Sequence, residues 1–359
     1  MIIDQEQLLS RVKVDIPFKE NLSYLKDKRI LITGAGGSVG SELCRQIVSI
    51  GAKRLYLFGH GENSIFKIEK ELLELQKESV GDNVKIVSII GELQDKHYIK
   101  YIIKKLKVDI IFHAAAHKHL HLMENNQVES IKNNVFGTKN LINASLNASV
   151  SKFIFISTDK AVNPSCTYGV SKHLAEELVL SVGNNNYKVV RFGNVLGSRG
   201  SILPIFKKQI KKGGPVTVTH PKVKRYFMTI NEAARLVLKA GEIEIDNKLL
   251  LLDMGNPVLI KDIAKQLIKM YGYIPNKDID IIYTGLKDGE KMDEILYPED
   301  TKPIQTKYKK ILKLDKELLN SGILNNMICK LQDICYFNPD KPELFRNKYR
   351  LKDVLKSAI

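Results

Sequence analysis

Tryptophan is absent from the chain, and its four cysteines, Cys44, Cys166, Cys329 and Cys335, form no CxxC pair and no His-rich metal spacing. They read as free thiols of a reducing compartment, and no metal is expected. No window reaches about 18 uninterrupted apolar residues, so no membrane-spanning helix and no membrane insertion are expected. The start, Met1-Ile2-Ile3-Asp4-Gln5, has no basic stretch leading into an apolar one, so no signal peptide is expected and the chain reads as cytoplasmic. Acidic residues are too few to balance basic ones, 40 against 56, which leaves a formal net charge of +16. Such a charge suits nucleic acid, an anionic membrane surface or anionic small substrates. The basic residues are spread along the chain, however, with no long Lys/Arg block and no Lys–aromatic repeat. No nucleic-acid partner is expected; the charge reads as a Lys-rich surface, part of it serving a diphosphate ligand. Internal repeats are also missing. What remains, with 44% apolar residues in 359, is enough to bury a core.

Short apolar runs recur with helical stretches between them. Arg29-Ile30-Leu31-Ile32-Thr33 is a strand candidate, as are 54–58, 84–90, 109–113, 153–156 and 187–192. Helices are expected over 41–50 and 63–77. Near-continuous apolar strands alternating with helices argue for an α/β fold of Rossmann type, a doubly wound parallel sheet covered on both faces. Beyond about residue 195 the pattern breaks into Gly/Pro-punctuated pieces such as Gly213-Gly214-Pro215. The expected organisation is an arm over 1–27, a dinucleotide-binding domain over 28–195, an interleaved, smaller C-terminal substrate-binding region over 196–310, and an extension over 311–359.

The first strand runs into Gly34-Ala35-Gly36-Gly37-Ser38-Val39-Gly40. Gly34, Gly37 and Gly40 permit a tight turn, a close approach of backbone to pyrophosphate, and close packing of helix on strand. The helix that follows presents free N–H groups and the positive end of its dipole. The strand–turn–helix context makes this a dinucleotide site, for NAD or NADP. The choice between them stays open, because no carboxylate follows the second strand until Glu62.

Tyr168 and Lys172 stand four residues apart, on one face of a helix. An adjacent ammonium favours the tyrosine phenolate, which then takes a proton from a sugar hydroxyl. Just upstream, Thr158, Asp159 and Lys160 leave the C-terminal end of strand 153–157, where open α/β sheets bind ligands. An acid and a base side by side there point beyond simple dehydrogenation.

These motifs resemble the UDP-N-acetylglucosamine 4,6-dehydratases, in the polysaccharide-biosynthesis branch of the extended short-chain dehydrogenases/reductases. The matching stretches run in order over roughly 25–310, among them ITGAGGSVGSELCRQI (32–47), HAAAHKHLHLMENN (113–126), FISTDKAVNPSCTYGVSK (155–172), RFGNVLGSRGSILPIF (191–206) and HPKVKRYFMTINEA (220–233). Many relatives carry N-terminal membrane segments, and residues 1–27 resemble a linker without them. The resemblance implies that Tyr168, assisted by Thr158, removes the O4 proton while a hydride leaves C4. Lys172 orients the nicotinamide ribose, Lys160 removes the C5 proton, and Asp159 protonates the departing C6 hydroxyl. It also implies cofactor contacts at Gly34, Gly36, Gly37, Ser38, Val39, Gly40, Glu92, Ala114, Ala115 and Lys172. The nucleotide-sugar substrate is expected at Lys118, Asn194, Arg199, Ser201, Arg225 and Glu290. Relatives commonly pair through two helices, here within 127–147 and 168–183, so a homo-oligomer is expected. Two departures stand out: His121 replaces a proline near the sugar pocket, and Lys287-Asp288-Gly289-Glu290-Lys291 replaces RPGEK. A 4-epimerase on the same fold, which needs no group to expel the C6 hydroxyl, and a non-catalytic NAD(P)-binding protein are the competing readings. C5 retention or inversion stays open.

Overall fold

The computed structural model describes Leu8, residues 22–244 and residues 249–358. Most of the arm expected over 1–27 lies outside them. Six parallel strands, Arg29–Thr33 (β1), Arg54–Gly59 (β2), Lys85–Ile90 (β3), Ile110–His113 (β4), Lys152–Ile156 (β5) and Tyr187–Arg191 (β6), stand in the order β3-β2-β1-β4-β5-β6. This is the doubly wound Rossmann order. Alternate residues face opposite sides. Ile30, Ile32, Leu55 and Leu57 pack on one face, with Leu43 and Ile47 of the Ser38–Val48 helix and Leu236 and Val237 of the Ile230–Glu242 helix. Leu31, Tyr56, Phe58, Phe153 and Phe155 pack on the other, with Ile99, Ile103 and Leu141. On all but the edge strand β3 both faces are largely buried, which is why these strands read as near-continuous apolar runs.

Beyond β6 the chain leaves the sheet and returns to it. Asn194–Leu196 (β7) and Val216–Val218 (β8) lead outward, and Lys224–Arg225 (β9) precedes Phe227–Thr229 (β10), which pairs with β7. Leu249–Leu252 (β11) then joins β6 in parallel. Val258–Leu259 (β12) pairs with β9, and Ile281–Tyr283 (β13) with β8. These short pairs and the helices Ile202–Lys211 and Ile260–Met270 enclose a second core built on Leu203, Phe206, Val216, Ile263 and Leu267. Finally Ile311–Leu314 (β15) pairs antiparallel with β11, and Ile304–Gln305 (β14) pairs antiparallel with β15 at the sheet's edge.

The last helices, Ser321–Cys335 and Lys348–Lys356, bury Leu324, Met327, Ile328, Leu331, Leu351 and Leu355 against Val128, Ile131, Val135, Phe136, Val170 and Leu174. The latter six lie within the segments expected to pair across a dimer. Their apolar face is covered instead by the chain's own C-terminal helices. Among the described residues no helix is long and apolar enough to cross a membrane.

Candidate active site

The glycine turn forms as its spacing requires. Gly34 has φ +66°, and a Cβ there would stand 2.8 Å from the Ala115 backbone. A Cβ on Gly36 would meet Ser64, and one on Gly40 would strike the Gly34 carbonyl. The helix begins at Ser38, three residues earlier than its sequence suggests, because Gly40 lets the first turn sit directly on the Gly34 carbonyl. Around the turn lies a pocket of about 200 Å³ lined by Gly34, Gly36, Gly37, Gly59, His60, Glu92, Ala114 and Ala115. It adjoins a cleft of about 670 Å³ lined by Gly37, Ser38, Val39, Gly40, Lys118, Thr158, Lys160, Tyr168, Lys172, Asn194, Arg199 and Ser201. All ten expected cofactor residues line one or the other. A dinucleotide fits this floor: side chains are excluded from it, and backbone N–H groups of a helix start face it. The only carboxylate among the lining residues is Glu92.

The expected substrate residues divide. Lys118, Asn194, Arg199 and Ser201 line the cleft, and the Ser201 hydroxyl is buried without a partner. Arg225 and Glu290 do not line it. The Arg225 guanidinium is bound to Glu290 at 2.9 Å and to the Lys224, Lys291 and Met292 carbonyls at 2.7–2.9 Å, so it has little left for a diphosphate. Arg199 reaches further than expected. It also lines the pocket with Gly34 and Glu92, and its backbone N–H donates to Ser38 Oγ at 2.9 Å. His121 and Asp288 are exposed and line neither space.

At the inner end Tyr168 and Lys172 sit in the first turns of the Thr167–Leu180 helix, both buried. Cys166 caps the helix, accepting from the Gly169 N–H. Burial pushes the Tyr168 hydroxyl up to about 12, opposed by the nearby Lys160 ammonium and by a hydrogen bond with Thr158. Lys160 thus acts on Tyr168 beside the Lys172 that the sequence pointed to. Lys172 donates to the Ile156 carbonyl at 2.6 Å and lies 3.7 Å over the Phe155 ring; burial lowers its ammonium to about 7 despite Glu176.

Asp159 is wholly buried behind the cleft wall. Its Oδ1 accepts from Thr158 Oγ1 at 2.9 Å and from Lys160 Nζ at 3.0 Å. Burial alone would discharge Lys160, but Asp159 and Glu294 more than compensate and raise its proton affinity. Glu294, which the sequence did not single out, stands 3.5 Å from Lys160 Nζ. It lies 134 positions away in an unremarkable Lys-Met-Asp-Glu run, and no periodicity or spacing marks it.

The chain matches a family model described as polysaccharide biosynthesis protein over residues 30–316. It is 44% identical to the capsular polysaccharide biosynthesis protein CapD of Staphylococcus aureus, over 90% of this chain and 55% of that protein. It is 31% identical to an inverting UDP-N-acetylglucosamine 4,6-dehydratase of Campylobacter jejuni (76% and 78% covered) and 34% identical to a UDP-glucose 4-epimerase of Rickettsia rickettsii (75% and 77%). The chain spans about half the length of the CapD relative. Among solved structures, Pen from Bacillus thuringiensis superposes with a TM-score of 0.70 at 29% identity, covering 85% of this chain and 98% of that one. A dTDP-glucose 4,6-dehydratase from Streptomyces venezuelae, solved with NAD, shares the fold at TM-score 0.62 and 17% identity (75% and 88% covered). By fold, motif and family match, the chain belongs to the polysaccharide biosynthesis protein family, within the extended short-chain dehydrogenases/reductases.

Proposed function

We propose that the chain is a nucleotide-sugar 4,6-dehydratase that converts UDP-N-acetylglucosamine to a UDP-4-keto-6-deoxy-N-acetylhexosamine for bacterial surface glycans. The Asp159–Lys160 pair at 3.0 Å, beside Tyr168, carries the reading. When bound, NAD or NADP supplies the hydride acceptor and donor. Gly34, Gly36, Gly37, Ser38, Val39, Gly40, Glu92, Ala114, Ala115 and Lys172 would hold it.

Tyr168 acts as the phenolate, the form that the Lys160 ammonium and the Thr158 hydrogen bond favour against burial, and takes the O4 proton. A proton moved from Lys160 Nζ to Asp159 Oδ1 makes a neutral amine and a carboxylic acid at once. Lys160 removes the C5 proton, the electron pair forms the C5–C6 double bond, and the C6–O bond breaks. Asp159 does not touch the cleft, so its proton reaches the leaving oxygen through the Thr158 hydroxyl, which is within hydrogen-bond reach of Asp159 and lines the cleft. Lys160 returns a proton to C5 as C6 is reduced. The O4 proton on Tyr168 replaces the one that left in water, so the protons balance. Lys118, Asn194 and Ser201 are the groups available to the nucleotide sugar.

The Rickettsia epimerase relative favours a second reading, 4-epimerisation, which uses Tyr168 and Lys172 but leaves the C6–O bond intact. Incubation with UDP-N-acetylglucosamine in D₂O, followed by NMR, separates the two. Dehydration gives a 4-keto-6-deoxy product with deuterium at C5 and reports the C5 configuration; a C4 epimer retaining its C6 hydroxyl would sink the proposal.

Arg199 is assigned to the cofactor diphosphate. Arg199→Gln is expected to weaken NAD or NADP binding about tenfold by calorimetry, the worth of one charge-assisted contact, while leaving UDP affinity nearly unchanged. A fall in UDP affinity instead would return Arg199 to the substrate. Self-association is assigned to a surface other than the helix face that the C-terminal helices cover.

A further inference from the structure

Two carboxylates, not one, meet Lys160. Asp159 precedes it in sequence, whereas Glu294 arrives from a segment 134 residues further along the chain. The segment that carries Glu294 is pinned at several points. Lys291 Nζ donates to the Val162 and Asn163 carbonyls at 3.0 and 2.6 Å, Ser165 Oγ donates to the Gly289 carbonyl at 3.1 Å, and Arg225 holds the Lys291 and Met292 carbonyls. Residues 289–294 are thereby clamped across the loop 162–165 that follows Lys160. The Glu294 side chain is 3% exposed. Its Oε2 has no partner, and neither has Asp159 Oδ2. A buried carboxylate with an unpartnered oxygen is costly, and its presence beside a reacting group calls for a reason.

We infer that Glu294 is a positioning residue for Lys160, holding its ammonium together with Asp159 and stabilising the positive charge that Lys160 gains on taking the C5 proton. A lysine stem has four rotatable bonds, and a single bond to the neighbouring residue leaves Nζ free to swing. A second anchor from a separately pinned segment fixes it. A carboxylate already in place where positive charge develops costs no reorganisation during the reaction. The charged and titratable groups that face Lys160 are Asp159 beside it, Glu294 from the 289–294 segment, and Tyr168 and Cys166 at the start of the Thr167–Leu180 helix.

This inference rests on the dehydratase reading, and the test keeps the two apart. Glu294→Gln keeps shape and removes charge. It is expected to lower C5–deuterium exchange and water loss roughly 10- to 100-fold, at or below the lower end of the 10²–10⁴ typical of general acid–base groups, because Glu294 acts through Lys160 and not on the substrate. UDP-N-acetylglucosamine affinity should stay within about threefold of wild type, because binding and chemistry separate when only the later step is affected. C4 oxidation should proceed, so a 4-keto sugar that has not lost water accumulates by mass spectrometry. Glu294→Asp keeps the charge and should restore part of the exchange; it also serves if the Gln variant does not fold. Equal losses in binding, C4 oxidation and C5 exchange in both variants would assign Glu294 a merely structural role and overturn the inference, as would unchanged exchange in Glu294→Gln while wild type dehydrates. Wild-type protein that only epimerises would overturn the dehydratase reading and this inference with it.

Discussion

Asp159→Asn is expected to lower turnover of UDP-N-acetylglucosamine by roughly 100-fold or more, within the 10²–10⁴ typical of general acid–base groups. The substitution keeps shape and hydrogen bonding, but it removes the carboxyl that stores the proton bound for the leaving hydroxyl. It also removes one of the two counter-charges of Lys160. Substrate binding should survive, because Asp159 is buried behind the cleft wall. Lys160→Met should abolish C5 exchange with solvent, and Tyr168→Phe should suppress the earlier loss of the C4 hydride. An epimerase would behave otherwise: it never breaks the C6–O bond, and Asp159→Asn would leave its rate nearly intact. Product analysis by mass spectrometry, alongside exchange by NMR, decides between these patterns.

Arg191→Met is expected to cost about 3–5 kcal/mol of folding stability, the usual penalty for leaving a buried charge without its partner. Glu176 is fully buried on the Thr167–Leu180 helix and is held at 3.1 and 2.6 Å by the Arg191 guanidinium at the end of β6. Ser157 donates to it at 2.6 Å, and Lys316 stands 3.4 Å away. Burial alone would raise the Glu176 carboxyl; Arg191, Lys316 and Ser157 overcome this and hold it at about 2. The folded value lies below the unfolded one, so the interaction is fully present above about pH 4.5 and is lost as pH falls toward 2. That is of order 3 kcal/mol for a shift of this size. Denaturant melts should show the wild type losing stability across this acid window and Arg191→Met losing less. Equal acid sensitivity in the two proteins would count against this account.

The parallel strands β1 to β6 were legible chiefly because most of them are buried on both faces. The runs at Arg29–Thr33 and Phe153–Ile156 cannot be anything but buried, and their ends fall within a residue of expectation. The glycine turn and the Tyr168/Lys172 pair were legible because each needs a fixed spacing on one local element. Three things were not. β15 is only four residues, Ile-Leu-Lys-Leu, and what makes it a strand is the waiting edge of β11 rather than its own pattern. Arg225 was expected at the nucleotide-sugar substrate because sequence does not reveal that the Lys291 and Met292 carbonyls hold its guanidinium. Glu294 is invisible because its role comes from a contact across 134 residues, and a lone glutamate carries no local signature.

The C-terminal helices that cover Val128, Ile131, Val135 and Leu174 act as a tethered competitor. A segment carried on the same chain is present at its own docking face at an effective concentration on the order of millimolar. A second copy of the protein at micromolar concentration must displace it before those helices can meet across a two-fold axis. The competition is therefore set by tether against dilution, and it favours the tether by about three decades before any difference in contact quality is counted.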